Sequence, residues 1–183
     1  ISDKSQIFQL IQAIKRGDKV VAAVAPAFVS QFGENVTSSQ MREAMRQVGF
    51  HKVIEVAVGA DMCTAEEAED FLKKGPAEQP FMATSCCPSW SVMAKKLFPQ
   101  FKDYISMAMT PMVLTARLYK KDHPDVRIVF IGPCTAKKLE ASRRTIRSDV
   151  DFVLTFEEMQ GIFDAKGIVP LSLIHISEPT RRS

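Results

Sequence analysis

Arg127-Ile128-Val129-Phe130-Ile131-Gly132-Pro133-Cys134-Thr135-Ala136-Lys137-Lys138-Leu139-Glu140 is the stretch that decides the architecture. Arg127 to Ile131 is strongly apolar with no polar alternation, which suits a strand buried on both faces, and Gly132-Pro133 ends it. A helix then starts at Cys134 and reaches Ala141. A cysteine therefore stands where a buried strand hands over to a helix.

The same alternation recurs outward in both directions. Upstream, Ile7, Leu10, Ile11 and Ile14 mark a helix ending near Arg16-Gly17, and Val20 to Val24 is a short apolar strand stopped by Pro26. Thr37 or Ser38 caps a helix over Ser39 to Val48, with Met41, Ala44, Met45 and Val48 on one face and Gly49 closing it. Lys52 to Val58 predicts a second strand, Gly59-Ala60-Asp61 a turn, and the acidic stretch through Leu72 a helix ended by Gly75-Pro76. Phe81 to Thr84 predicts a third strand. Pro88 opens a helix whose apolar face is Val92, Met93 and Leu97, and another runs from Thr110-Pro111 to Lys121. Downstream, Phe152 to Leu154 predicts a strand and Phe156 to Ala165 a helix. The expected class is α/β, a mostly parallel sheet flanked by helices on both faces through right-handed crossovers.

The chain has 183 residues, 46% apolar and 25% charged, the composition of one ordinary soluble domain. A chain of this length buries about 70% of its unfolded surface, so neither a metal nor a disulfide is required to hold a core. Clustered cysteines then point to chemistry. Lys plus Arg total 24 against 21 for Asp plus Glu, and the net +3 is scattered without runs, which argues against a nucleic-acid partner. No stretch approaches the roughly 18 apolar residues of a membrane span, and the start lacks the pattern of a signal peptide, so a reduced cytoplasm is expected. A helical pattern is already running by Ile7, which implies protein upstream of Ile1. The regular pattern stops at Val169-Pro170. One codon choice for Leu171 to Arg181 resembles a sequencing adapter read in frame, so residues 1 to 170 are expected to be the domain and 171 to 183 a non-native tail; the alternative is a short strand, Leu171 to Ile176.

The four cysteines are Cys63, Cys86, Cys87 and Cys134. Cys86-Cys87 and Cys134 both fall at carboxyl ends of predicted strands, the edge where open α/β sheets bind ligands and where the next helix's free N–H groups favour thiolate. Metal or redox work is the reading for these three; Cys63 lacks the setting and reads as a core or helix-start residue. A Cys–His nucleophile is set aside, because His51 and His123 have no orienting partner in view and His175 belongs to the tail. Zinc is disfavoured, since adjacent cysteines cannot easily both face one tetrahedral ion. One of the pair ligates and the other faces away.

Thr84-Ser85-Cys86-Cys87-Pro88-Ser89-Trp90, followed by Pro133-Cys134 with Lys137 and Glu140, resembles the first two signatures of the iron-only (FeFe) hydrogenase catalytic domain over residues 1 to 170. The resemblance implies one lobe of a two-lobed domain that interconverts protons plus electrons with dihydrogen. Its implied cofactor is the H-cluster, a 4Fe-4S cluster joined through a cysteine to a two-iron centre with CO, cyanide and an azadithiolate bridge. Further 4Fe-4S clusters in an upstream domain, a ferredoxin or attached ferredoxin-like domain as electron partner, and maturation proteins are implied with it. By motif, Cys87 and Cys134 resemble cluster ligands and Cys86 the cysteine that passes a proton to the bridging amine. Lys137 resembles the lysine that hydrogen-bonds a cyanide. Pro26 and Ala27 resemble the loop lining the distal iron, Thr110-Pro111 a Ser-Pro pair near the same centre, and Pro133 the proline of the second signature. Glu67, Asp70, Ser106 and Glu140 match an acid and hydroxyl relay toward Cys86. Spaced three apart on a helix, Glu67 and Asp70 share a face, which also suits a merely solvated acidic surface.

Departures from the resemblance count as well. Ala27 stands where many relatives have serine, and Gly132 where methionine is usual, which is expected to open space beside the two-iron centre. The third signature, with two further cysteines, does not occur in these residues, so no complete site and no activity are expected of this chain alone. The departures point to a divergent, sensory or otherwise specialised subgroup. Two other readings stand beside the enzyme: a relative in cytosolic iron-sulfur protein assembly, from which Cys86 discriminates, and a hydrogen-sensing regulatory module.

Overall fold

A computed structural model describes residues 4–143 and 146–173. The apolar runs pair as four parallel strands, β1 (Val20–Val24), β2 (Lys52–Glu55), β3 (Arg127–Gly132) and β4 (Phe152–Thr155), in the order β2-β1-β3-β4. Every residue of β1 is buried, and all of β3 except Arg127. Seven α-helices cover the sheet among the described residues: α1 (Ile7–Lys15), α2 (Ser38–Val48), α3 (Val56–Glu78), α4 (Pro88–Leu97), α5 (Pro111–Asp122), α6 (Ala136–Ser142) and α7 (Phe156–Lys166). α2 meets α7 on one side of the sheet, and in the α3 to α6 series α3 packs on α5 and α5 on β1. The α/β class with helices on both faces is what the alternating pattern predicts.

Local chemistry explains the boundaries. Thr37 and Thr155 each form a capping box, with Gln40 and Glu158 returning the bond, and Gly49 and Gly167 close their helices in the left-handed conformation. Asp151 fastens β4's entry to β3: its Oδ2 accepts from the Ile128 N–H at 2.9 Å and from Lys120 Nζ at 2.7 Å, and its Oδ1 from Arg127 at 2.8 Å. Burial works to raise this carboxyl, but the bonds outweigh it and hold it below the usual carboxylate range.

Three expectations are corrected. The strand read over Phe81 to Thr84 is a single bridge, Ala83 with Ile105, because Phe81 turns its ring into a cluster with Phe101 and Tyr104 rather than extending a ladder. The second strand ends at Glu55, not Val58: β1 offers no partner beyond that residue, and Val56 to Val58 join α3 against α5. Gly75 breaks α3 with φ of 69°, yet a last turn continues to Glu78 past Pro76. Pro170–Ser172 is a 3-10 turn, and Gln40 Nε2 donates to the carbonyls of Leu171 at 2.9 Å and Leu173 at 3.2 Å. His175 and the rest of the expected tail lie outside the described residues.

The strand order has one positional consequence. From β1 the chain moves outward to β2 and then returns across β1 to β3, so the direction of winding reverses between β1 and β3. Carboxyl ends of strands at such a reversal form a crevice. Here they deliver Ala25-Pro26-Ala27 and Gly132-Pro133-Cys134, and the Ala25 N–H donates to the Ile131 carbonyl at 2.9 Å.

Candidate functional site

A cavity of about 230 Å³ occupies that crevice. Its walls are Pro26 and Ala27 after β1, Pro133 and Cys134 after β3, Cys86, Cys87 and Pro88 from the turn into α4, Pro111 and Met112 of α5, and Lys137 of α6. The turn has local supports. Cys87 is the extended N-cap residue of α4, Pro88 supplies the first helical residue, and Trp90 Nε1 donates to the Thr84 carbonyl at 3.0 Å. Cys86 and Cys87 are exposed. Cys134 is half-buried; its sulfur accepts from the Ala136 N–H at 3.3 Å and lies 3.9 Å from Ser89 Oγ. Sequence reasoning did not single out Ser89, although it sits two residues past Cys87 in the quoted motif. α6 starts at Ala136 rather than Cys134, which leaves the thiol on the preceding turn.

Lys137 and Glu140 form the electrostatic centre. Lys137 Nζ donates to the Cys86 carbonyl and to Glu140 Oε2, both at 2.7 Å. Glu140 is only 2% exposed, and its other oxygen accepts from Thr110 Oγ1 at 2.5 Å. A carboxylate this deep is tolerable only with a cation and a hydroxyl on its two oxygens. Thr110 also caps α5, accepting from the Val113 N–H at 3.5 Å, so the triangle ties α5 and α6 to the cysteine turn.

The expected relay residues are only partly assembled. Ser106 is buried, accepts from the Ala108 N–H at 3.1 Å, and with Thr110 and Glu140 lines a second cavity of about 500 Å³ that shares Pro88 with the first. Glu67 is half-buried and Asp70 exposed on α3, and neither lines a cavity among those described. Cys63 is buried within α3 and donates to the Met109 carbonyl at 3.0 Å. Burial pushes its thiol up, and Glu66, Glu67 and Cys86 push the same way, so it stays a neutral thiol, as a core reading expects.

One expectation about the cavity is overturned. Gly132 does not leave open space, because a Cβ built there would lie 2.4 Å from Cε1 of Phe130, whose ring takes that volume and lines the cavity.

Residues 18–181 match the family described as "Iron only hydrogenase large subunit, C-terminal domain". The chain belongs to this hydrogenase family. Iron hydrogenase 1 of Clostridium pasteurianum is 32% identical over 201 residues, covering 97% of this chain and 34% of the relative. The cytosolic Fe-S cluster assembly factor NAR1 of Scheffersomyces stipitis is 28% identical over 130 residues, 63% of this chain and 24% of the relative. An apo FeFe-hydrogenase HydA1 variant from Chlamydomonas reinhardtii superposes with a TM-score of 0.82 at 28% identity, covering 94% of this chain and 50% of that one. The chain thus spans about a third of the first of these relatives and half of the solved structure. Both hydrogenases and assembly factors are kin, and this family carries iron-sulfur groups. The residues present suit one in part: Cys87 and Cys134 bring two soft sulfur donors to one cavity, with a lysine ammonium at its side. Among the described residues no three His, Cys, Asp or Glu side chains converge as a metal site.

Proposed function

We propose that this chain is one lobe of an FeFe hydrogenase catalytic domain, in which Cys87 and Cys134 hold a 4Fe-4S cluster and the cavity beside them houses the two-iron centre of an H-cluster. The observation that carries the reading is Cys86, an exposed thiol on the wall of that cavity, next to a ligand and with its own carbonyl bound by Lys137. Such a cofactor, when bound, supplies the interconversion of two protons and two electrons with dihydrogen. The chain's residues bind, orient and move protons. Lys137, fixed by Glu140 and Thr110, presents an ammonium at the cavity wall, a donor suited to an anionic diatomic ligand. Pro26, Ala27, Pro111 and Pro133 shape the walls with few polar groups. Thr110 acts from behind Glu140. Cys86 takes up and releases a proton at Sγ, and Ser106, Glu140, Glu67 and Asp70 form the route toward it, Cys63 standing beside that route. The proposal includes a ferredoxin or ferredoxin-like electron partner, dedicated maturation proteins and a cytoplasmic setting.

An iron-sulfur assembly role is the second reading, favoured by kin such as NAR1. Cys86 separates the two, because a protein that only carries a cluster has no use for a proton-bearing thiol beside its ligand. In the full-length protein containing this chain, Cys86→Ala should keep its iron and its paramagnetic resonance signals while hydrogen turnover falls roughly 10²–10⁴-fold, the usual worth of a positioned proton donor. Cys87→Ala should lose the cluster iron itself. Full turnover in the Cys86→Ala protein would overturn the relay. Loss of iron equal to that of Cys87→Ala would make Cys86 a ligand.

A further inference from the structure

The second cavity, of about 500 Å³, has a one-sided chemistry that the hydrogenase reading does not use. Three cations line it, Lys95 of α4, Arg117 of α5 and Arg143 just past α6, against a single carboxylate, Glu140. Both oxygens of Glu140 are already bound, one by Thr110 and the other by Lys137. Arg117 is committed too: it pairs with Asp149 at 3.3 Å and donates to the carbonyls of Ile146 at 2.9 Å and Arg147 at 2.8 Å. Lys95 and Arg143 differ from it. Among the described residues neither side chain has a hydrogen bond or an ion pair.

The hydroxyls of the lining add to this surplus of donors. Ser106 is 8% exposed, and its oxygen accepts from the Ala108 N–H at 3.1 Å, but its own O–H has no acceptor among the described residues. Ser85, half-buried on the same wall, has no side-chain bond there either. A buried donor left unspent costs free energy, and a ligand that only accepts recovers it. Two unpaired cations with two hydroxyls match a phosphate monoester, which carries nearly two negative charges at neutral pH and three strong acceptor oxygens. Met107, Val113 and Ile146 supply an apolar part of the wall, and the volume suits a small organic molecule better than a bare ion.

We propose that this cavity is a binding site for a small phosphate monoester, its phosphate held between Lys95 and Arg143 with Ser85 and Ser106 donating to the oxygens, and its organic stem against Met107, Val113 and Ile146. The site stands on Lys95 and Arg143, which have no part in the proposed proton route, so it is independent of the hydrogenase reading.

The test is anaerobic titration calorimetry on the full-length, iron-loaded protein containing this chain, with phenyl phosphate as the probe at fixed ionic strength. Phenyl phosphate should bind saturably at one site, inorganic phosphate several-fold more weakly, and benzyl alcohol, which has the ring without the charge, not measurably. Lys95→Gln and Arg143→Gln should each weaken phenyl phosphate binding roughly tenfold, the usual worth of a charge-assisted hydrogen bond. Lys95→Arg should retain it. The thermal midpoint of each variant should stay within about 2 °C of the parent, because neither side chain has a partner to lose. No saturable binding in the parent, or undiminished binding in the Lys95→Gln/Arg143→Gln double variant, would overturn the site. Inorganic phosphate or benzyl alcohol binding as tightly as phenyl phosphate would overturn the assignment of a monoester. Failure of the hydrogenase reading appears separately, as absent hydrogen turnover in a parent protein whose phenyl phosphate binding is unaffected.

Discussion

The central strands and the segment from residue 79 to residue 110 are built in opposite ways, and the site lies across the seam between them. In the first region β1 and β3 are paired on both edges and packed on both faces, with Val20, Ile128, Val129 and Ile131 fully buried. In the second, a single bridge joins Ala83 to Ile105, and the apolar side chains mostly meet one another at the surface. Phe81, Phe101 and Tyr104 form a ring cluster with centroids 5.0 to 6.3 Å apart, while Leu97 is 65% and Met107 85% exposed. Cys134, Lys137 and Pro26 come from the well-held side, Cys86 and Cys87 from the other. Side-chain interactions that cross the seam include those of Lys137 with the Cys86 carbonyl, Ser89 with Cys134, Thr110 with Glu140, and Cys63 with the Met109 carbonyl. Regions with few buried contacts open locally at low free energy. The contrast teaches that the Cys134 thiol is placed by the core and the Cys86-Cys87 pair by a segment with much less holding it.

Substitutions can break or sharpen this contrast. The largest effect is expected at Phe163, fully buried and edge-on to Phe32 at 5.5 Å. Phe163→Ala should cost about 3–5 kcal/mol in urea unfolding, the usual range for a buried aromatic. Asp151→Asn comes next, with a loss of about 1–3 kcal/mol at neutral pH, because it weakens bonds from Lys120, Arg127 and the Ile128 N–H at a half-buried position. The sign with pH follows from the depressed carboxyl: its contribution is complete above the unfolded-state value near 4 and disappears as pH falls through the lower folded value. The difference between parent and Asp151→Asn should therefore shrink in acid, and a difference constant down to pH 2 would refute the assignment. The smallest effect belongs to Phe101→Ala, 43% exposed, at less than about 1.5 kcal/mol. A loss matching that of Phe163→Ala would mean that the two regions are equally well held.

The well-held region was also the legible one. Ile128 to Ile131 and Val20 to Val24 have no polar alternation, which only a two-sided buried strand explains, and the capping of α2 and α7 follows from Thr37, Gly49 and their counterparts. Phe81 to Thr84 misled because β-propensity measures fit to a half-buried surface, and the ring cluster offers Phe81 a better one. Val56 to Val58 misled for the related reason that β-branched residues enter a helix when tertiary packing requires it. At the site, the two cysteine motifs and the Lys137–Glu140 spacing could be read from the chain, since residues three apart on a helix are neighbours. The bond from Lys137 to the Cys86 carbonyl spans 51 positions and no local pattern encodes it. The occupancy of Gly132's space by Phe130 was in principle available from strand parity, had the same-face relation of the two residues been weighed.

The strand order bears on how the chain acquires its structure during synthesis. β1 is made early but lies at the centre of the sheet, and its register with β3 matches Val20 to Arg127, so one of its two neighbours is encoded more than a hundred residues later. At roughly 5–20 residues per second, β1 leaves the ribosome several seconds before that neighbour exists. Only β2 is close enough to pair with it promptly. A nascent chain halted before β3 would hold Val20 to Val24 as an open, wholly apolar edge, the kind of surface that chaperones bind and other strands add to. The crevice holding Cys134 would then be among the last features to form, after most of the chain has been made.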